Sequence, residues 1–218
     1  MKLAIFDLDN TLIAGDSDYA WGTFLVDRGI VSKDYYQQQN ARFYADYCEG
    51  KLDIYEYQRF VLTPLIPLSI KEKINLHTEF MADYIAPLQL SKADELLAKH
   101  RQAGDQLLII TATNRFIADP IASLLGVPNL LATEPEIVEG KFTGAIIGTP
   151  CYQHGKVQRL DQWLKDQKAV LDSSYFYSDS INDVPLLEWV TYPVVVDPDE
   201  KLRDYASQKC WPIISLRE

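Results

Sequence analysis

Nothing in this sequence can build a disulfide framework: there are three cysteines, Cys48, Cys151 and Cys210, an odd number, far apart and without a CxxC pair. A reduced, cytoplasmic setting is the expectation, with Cys151 read as a small apolar filler. Long hydrophobic runs are also missing. No stretch approaches the roughly 18 residues that a membrane helix needs, and the N-terminal KLAIF is too short for a signal h-region and is followed at once by acid. Positive charge is scarce, with 21 Lys and Arg against 31 Asp and Glu and a formal charge of −10. That balance argues against nucleic acid or an anionic membrane as a partner, while a small anionic substrate stays compatible if a local cation or metal overrides the global field. The three histidines, His77, His100 and His154, show no metal-ligand spacing. Repeats and low-complexity tracts are absent. What remains, 218 residues at 47% hydrophobic and 24% charged, is an ordinary globular composition with enough chain for a sizeable core in one or two domains.

The apolar pattern divides the chain. KLAIF, residues 2–6, reads as a short buried strand. From Asp16 to Ala86 the texture is helical, with Tyr36, Phe43, Tyr44 and Tyr47 near one face, Asp53 and Ser69 as helix caps, and Gly29 and Gly50 where helices end. The aromatics of this stretch, among them Tyr19, Trp21, Phe43, Tyr44 and Tyr57, are expected as core. After Pro87 strands and helices alternate. QLLIIT, SYFYS, YPVVV and WPIIS read as strands, and NLLATEPEIVEGKFTGAIIG as a strand and hairpin turning at Glu139 and Gly140. The predicted fold is α/β, a doubly wound, mostly parallel sheet covered on both faces, formed by residues 1–15 and 87–218, with a helical cap inserted at 16–86.

In such sheets ligands bind beyond the carboxyl ends of the strands. Asp7 and Asp9 follow the first strand, Thr111 follows QLLII, and Ser178 with Asp179 follows SYFY. Carboxylates are rarely buried without a partner, so the acid pair of IFDLDNT calls for a compensating cation. A carboxylate at this position can serve as nucleophile toward phosphorus, and like-charge repulsion with a phosphate dianion is relieved by a hard, oxygen-loving cation such as Mg2+.

DLDNT, IITAT, GKVQRL and YSDSINDVPLL stand in this order, and with them the chain resembles the haloacid dehalogenase superfamily, in the branch that includes the phosphoserine phosphatases. The resemblance covers essentially the whole chain. It implies Asp7 as nucleophile through an aspartyl-phosphate and Asp9 as general acid and then base. It further implies Thr111 and the backbone N–H of Ala112, at a helix N-terminus, as the phosphate cradle, and Lys156 as the neutralising cation. Asp7, the Asp9 carbonyl and Asp179 would ligate Mg2+, with Asn182 and Asp183 holding water or those ligands in place. The branch carries two small residues after the Ser or Thr of its second motif, where this chain has Ala112 and Thr113. Asp16 stands where phosphoserine phosphatases place a glutamate that binds the substrate amine. Asp16 and Asp18 are therefore candidates for holding an ammonium, and Arg59 or Arg42 for a substrate carboxylate.

The expected activity is Mg2+-dependent hydrolysis of a small phosphorylated metabolite, an amine-bearing ester such as phosphoserine or histidinol phosphate. Three alternatives share part of the pattern. A dehalogenase would need neither magnesium nor the acid at Asp9. A phosphotransferase or mutase would keep every core residue. A phospho-accepting signalling module would also use aspartate, threonine, lysine and magnesium, but in a shorter chain with its acceptor on a later strand. Taken singly, the candidates have plainer readings: solvated acids at a strand end for Asp7 and Asp9, helix caps for Thr111, Asp16 and SDSIND, and a surface cation for Lys156.

Overall fold

The computed structural model describes residues 1–217. Six strands run parallel: β1 (Lys2–Phe6), β2 (Gln106–Asn114), β3 (Asn129–Val138), β5 (Ser173–Ser178), β6 (Tyr192–Val196) and β7 (Ile213–Ile214). β4 (Lys141–Ile147) returns antiparallel to β3 and closes one edge. The sheet order is β4-β3-β2-β1-β5-β6-β7. The hairpin turns where the sequence predicts: Glu139 and Gly140 both have positive φ, 50° and 76°, the pairing that a tight turn with the sheet's own twist requires.

β1 lies at the centre because its apolar residues serve both faces. Leu3, Ala4, Ile5 and Phe6 are all fully buried. Alternation sends Ala4 and Phe6 into a cluster with Leu97, Ile117 and Ile121, and Leu3 and Ile5 into one with Leu160, Leu186 and Leu202. The first cluster lies under α5 (Ser91–Gln102) and α6 (Arg115–Leu124), the second under α7 (His154–Asp166), α8 (Val184–Trp189) and α9 (Glu200–Lys209). Cys151 is buried in the second cluster. His100 is a core residue, its ring nitrogens 2.7 Å from Asp105 and 2.8 Å from the Tyr177 hydroxyl.

Between β1 and α5 the chain forms α1 (Ser17–Asp27), α2 (Lys33–Cys48), α3 (Ile54–Leu62) and α4 (Ile70–Phe80), followed by short turns to Leu88. Local chemistry sets the ends. Asp16 caps α1 through Tyr19 N, Asp53 caps α3, and Ser69 with Glu72 forms a capping box on α4. Gly29 and Gly50 follow α1 and α2 at positive φ. The segment leaves and rejoins the sheet side by side, Ile13 bridging Gln89 and Ala14 N–H donating to Leu88 O at 2.8 Å. Its apolar interior is nevertheless continuous with that of the sheet. Trp21 meets Phe80 edge-on at 4.9 Å and Phe116 of α6 at 5.6 Å, all in one cluster. No helix among the described residues is long and apolar enough to cross a membrane.

His77 of α4 stacks on Phe116 at 4.5 Å, and its Nε2 is buried without a partner. Burial lowers its pKa to about 4. The fold therefore favours the neutral ring. This stabilisation is complete above the unfolded value of about 6.5 and is lost as pH falls toward 4, a difference of about 3 kcal/mol. Urea unfolding between pH 7 and 4 is expected to show this slope in the parent and a shallower one in His77→Phe; equal slopes would assign the loss to other groups.

Candidate active site

From β1 the chain winds outward through β2 to β4 and later, through β5 to β7, in the opposite direction. β1 and its two neighbours thus form the switch point at whose carboxyl end a crevice opens. Asp7 is the first residue past β1, and its N–H donates to Tyr177 O of β5 at 2.9 Å. The backbone then bends as the acid pair demands. Leu8 O accepts from the N–H groups of Thr11, Leu12 and Ile13, and Asn10 takes a φ of 55°. Asp7 and Asp9 consequently line the same cavity.

Lys156 stands at the centre, 3% exposed, donating to Asp7 Oδ1 at 3.0 Å and to Asp183 Oδ2 at 2.6 Å. It sits in the first turn of α7. The preceding Gly155 permits this placement, since a Cβ there would meet Pro150 O at 2.0 Å. Ser178 Oγ donates to the same Asp183 oxygen at 2.7 Å. Burial opposes the charge of Lys156, but Asp183 and Asp7 outweigh it and hold the ammonium above its ordinary range. Burial pushes Asp7 up to about 7, with Lys156 pulling the other way. Asp179 is raised by burial and by the neighbouring Asp7, and its Oδ1 accepts from Thr11 Oγ1 at 2.9 Å.

Asp9 is fixed at both oxygens, Oδ1 accepting from Ser17 N at 2.7 Å and Oδ2 from Thr113 Oγ1 at 2.7 Å. Thr111 is buried, and its Oγ1 accepts from Thr113 N at 3.2 Å. Ala112 differs from expectation. Its N–H does not open a helix, because β2 continues through Asn114 and Asn114 is the N-cap of α6. A register shift between Ile110 and Asn114 marks the irregularity that lets the strand run on.

Asn182 lines the cavity and also reaches the end of α2. Its Nδ2 donates to Tyr47 O at 3.1 Å and its Oδ1 accepts from Gln153 Nε2 at 3.0 Å. Gln153 Nε2 also reaches Gly50 O at 3.2 Å, and Lys201 Nζ reaches Cys48 O at 2.6 Å. The carbonyl end of α2 is thereby held by donors from three separate elements of the sheet domain, and Tyr47 OH adds a bond to Ser180 Oγ at 2.7 Å. Asp183 pairs with Lys156, which in turn reaches Asp7.

The cavity brings together Asp7, Asp9, Asp16, Asp18, Thr111, Ala112, Lys156, Asp179, Asn182 and Asp183. Arg59 is not among its walls. It is exposed on α3 with its stem toward Gly144 of β4, and Arg42 is committed to Glu56 at 2.7 Å and to the Phe43 ring. The aromatics divide. Trp21 and Phe43 are buried as expected and Tyr57 packs on the core cluster, though Phe43 and Tyr57 also line the cavity with Tyr47 and Tyr152; Tyr19 and Tyr44 depart from the expectation, exposed on that cavity's wall. Asp18 is 6% exposed, and its Oδ1 has no hydrogen-bond partner. Burial raises its pKa well above the usual carboxylate range, with Asp16 and Asp9 adding to the effect. Sequence reasoning missed Ser178, Thr11 and Thr113 as supports of the acids, and Tyr47, Tyr152 and Gln153 as the seam between helices and sheet. A hydroxyl within two residues of a strand-end aspartate was the available signal for Ser178 and Thr11; Thr113, six residues from the nearest aspartate, carried none.

Residues 4–188 match the model of the haloacid dehalogenase-like hydrolases. A histidinol-phosphatase of Neisseria meningitidis serogroup C is 45% identical over 220 residues, covering 99% of each chain. The crystal structure of a protein of unknown function from Bordetella pertussis Tohama I superposes with a TM-score of 0.92 at 41% identity, covering 99% of this chain and 98% of that one. A substrate-bound phosphoserine phosphatase superposes at 0.71 with 17% identity, covering 100% and 93%, a likeness of fold. The chain belongs to the haloacid dehalogenase-like hydrolase family, as one of its phosphatases.

Proposed function

We propose that this phosphatase hydrolyses a small phosphate monoester bearing a cationic nitrogen, with histidinol phosphate the first candidate. The observation that carries the proposal is the charge of the cavity wall: six aspartates, Asp7, Asp9, Asp16, Asp18, Asp179 and Asp183, face a single basic residue, Lys156. Lys156 is already shared between Asp7 and Asp183, so more positive charge has to arrive with the ligands. The aromatic side chains beside the acids suit a protonated amine or imidazole. The 45% identity to a histidinol-phosphatase over essentially the full length supports that choice.

Part of the charge fits a metal. The Asp7 and Asp179 carboxylates and the Asp9 carbonyl are the hard oxygen donors that Mg2+ prefers. These would be two side chains and one carbonyl, and among the described residues no group of three His, Cys, Asp or Glu side chains is placed to hold a metal. Bound there, Mg2+ supplies positive charge against the phosphoryl oxygens.

The protein's own groups carry the steps. The Asp7 carboxylate attacks phosphorus as the ester P–O bond breaks, and Asp9 gives its proton to the departing oxygen. Asp9 then takes a proton from the water that cleaves the aspartyl-phosphate. Thr111 holds a phosphoryl oxygen through its hydroxyl. Lys156 fixes the nucleophile and offsets its charge in a site where few waters screen it. The helices of residues 16–86 act as the cap that encloses the ester and limits bulk water. The free cysteines are in keeping with a cytoplasmic reaction.

Phosphate release from histidinol phosphate, phosphoserine, sugar phosphates and nucleotides, with Mg2+ and with chelator, tests the proposal. A Mg2+-dependent preference for the amine-bearing esters is expected, and silence across the panel would overturn it. Asp7→Asn is expected to lose at least about a thousandfold in kcat with an unaltered circular dichroism spectrum; retained turnover would remove Asp7 as nucleophile. Lys156→Met leaves Asp7 and Asp183 without their shared cation, so urea unfolding in chelator should show a loss of about 3 kcal/mol or more. Parent-like stability would show that the pair carries none of it.

A further inference from the structure

We propose that Asp18 is the seat of the substrate's cationic nitrogen and that it, rather than Asp16, sets the preference for amine-bearing esters. The inference rests on the phosphatase reading above and assigns the selectivity of that site to one side chain.

The two aspartates share the mouth of α1 but are not equivalent. Asp16 is the more exposed of the two, although it lines the same cavity and desolvation there, with Asp9 nearby, pushes it up to about 7. Its Oδ1 is already engaged as the N-cap acceptor from Tyr19 N at 2.9 Å, so a cation meeting it would compete with that bond and with water for a partly satisfied acid. Asp18 is more than nine-tenths buried, lines the cavity, and has an oxygen with no partner. Such an oxygen is costly until something donates to it.

The neighbours of Asp18 cannot supply that donor in full. The Tyr57 and Thr113 hydroxyls lie against it, yet the single Thr113 proton is given to Asp9 Oδ2. No lysine or arginine lines this part of the cavity, and Lys156 is held at the opposite acids. The wall around Asp18 therefore presents an unpaired acidic oxygen to a cavity whose one basic side chain is engaged elsewhere, and a positively charged visitor supplies what the chain itself lacks there. Tyr57 and Phe43, their ring centroids 5.2 Å apart, supply aromatic surface beside it. A protonated amine or imidazole has both the charge for Asp18 and the π-facing surface for these rings.

The test separates binding from turnover. Calorimetry measures binding of histidinol, the free amino alcohol, to the parent, Asp18→Asn and Asp16→Asn. Asp18→Asn is expected to weaken binding by about thirtyfold or more, and Asp16→Asn by about threefold or less. In parallel, the ratio of kcat/KM for histidinol phosphate to that for propyl phosphate should fall at least about tenfold in Asp18→Asn. Asp18→Ser, smaller and uncharged, gives the same readings should the amide not be accommodated. Parent-like amine binding in both Asp18 variants, or an equal loss on both esters, would overturn the assignment; the second result would mean that Asp18 acts through Thr113 on Asp9. Failure of the parent to release phosphate from either ester would overturn the phosphatase reading, while calorimetry would still decide on Asp18.

Discussion

The site depends on one buried ammonium held between two carboxylates. Lys156 lies 3.0 Å from Asp7 and 2.6 Å from Asp183, and these residues come from three places far apart in the chain: the end of β1, the first turn of α7 and the loop after β5. Charges without water are tolerated only when paired, so the pair specifies how these three elements meet. It also orders its surroundings. Ser178 braces Asp183, Gly155 lets α7 approach Pro150, and Thr11 reaches across to Asp179. The strand ends converge because the acids there need the lysine and the lysine needs them.

Around this point the architecture serves two ends with one strand. β1 divides its side chains between two apolar layers and places Asp7 where the winding of the sheet reverses. The helices of residues 16–86 are not a detached lid. Trp21, itself packed on Phe80, and His77 pack on Phe116 of the sheet domain, so the half of the segment nearest α6 is anchored by burial. α3 is also anchored by burial, its Val61 and Leu62 sharing a cluster with Phe142 of β4, whereas α2 carries much of the aromatic wall and meets the sheet domain through polar contacts at its carbonyl end. This division explains why the cavity has both a fixed floor and a polar seam.

Much of this was legible in the sequence because its signals are local. KLAIF and QLLII announced buried strands, Glu139 and Gly140 a tight turn, and Asp53 and Ser69 helix caps. The aspartates after β1 and β5, with Thr111, were legible as a set because strand ends share a crevice, and Lys156 through the family resemblance. What was not legible depends on long-range placement. Whether Arg59 faces the cavity or β4 is decided by the rotation of α3, which its short amphipathic pattern does not resolve. Tyr44 and Tyr57 have the composition of core, and only the packing of α2 against α3 turns them to the cavity. Ala112 was expected to begin a helix, but the strand continues to Asn114, whose side chain accepts from Ile117 N.

The carbonyl end of α2 is grasped by Asn182, Gln153 and Lys201, and Asn182 belongs to the same loop as Asp179 and Asp183. Three such bonds amount to about 3 kcal/mol net, so the loop that carries two of the acids and the carbonyl end of α2 are held as one unit. The contacts that fix the acids therefore also set the aromatic wall opposite them, and polarity and shape in this cavity are not independent variables.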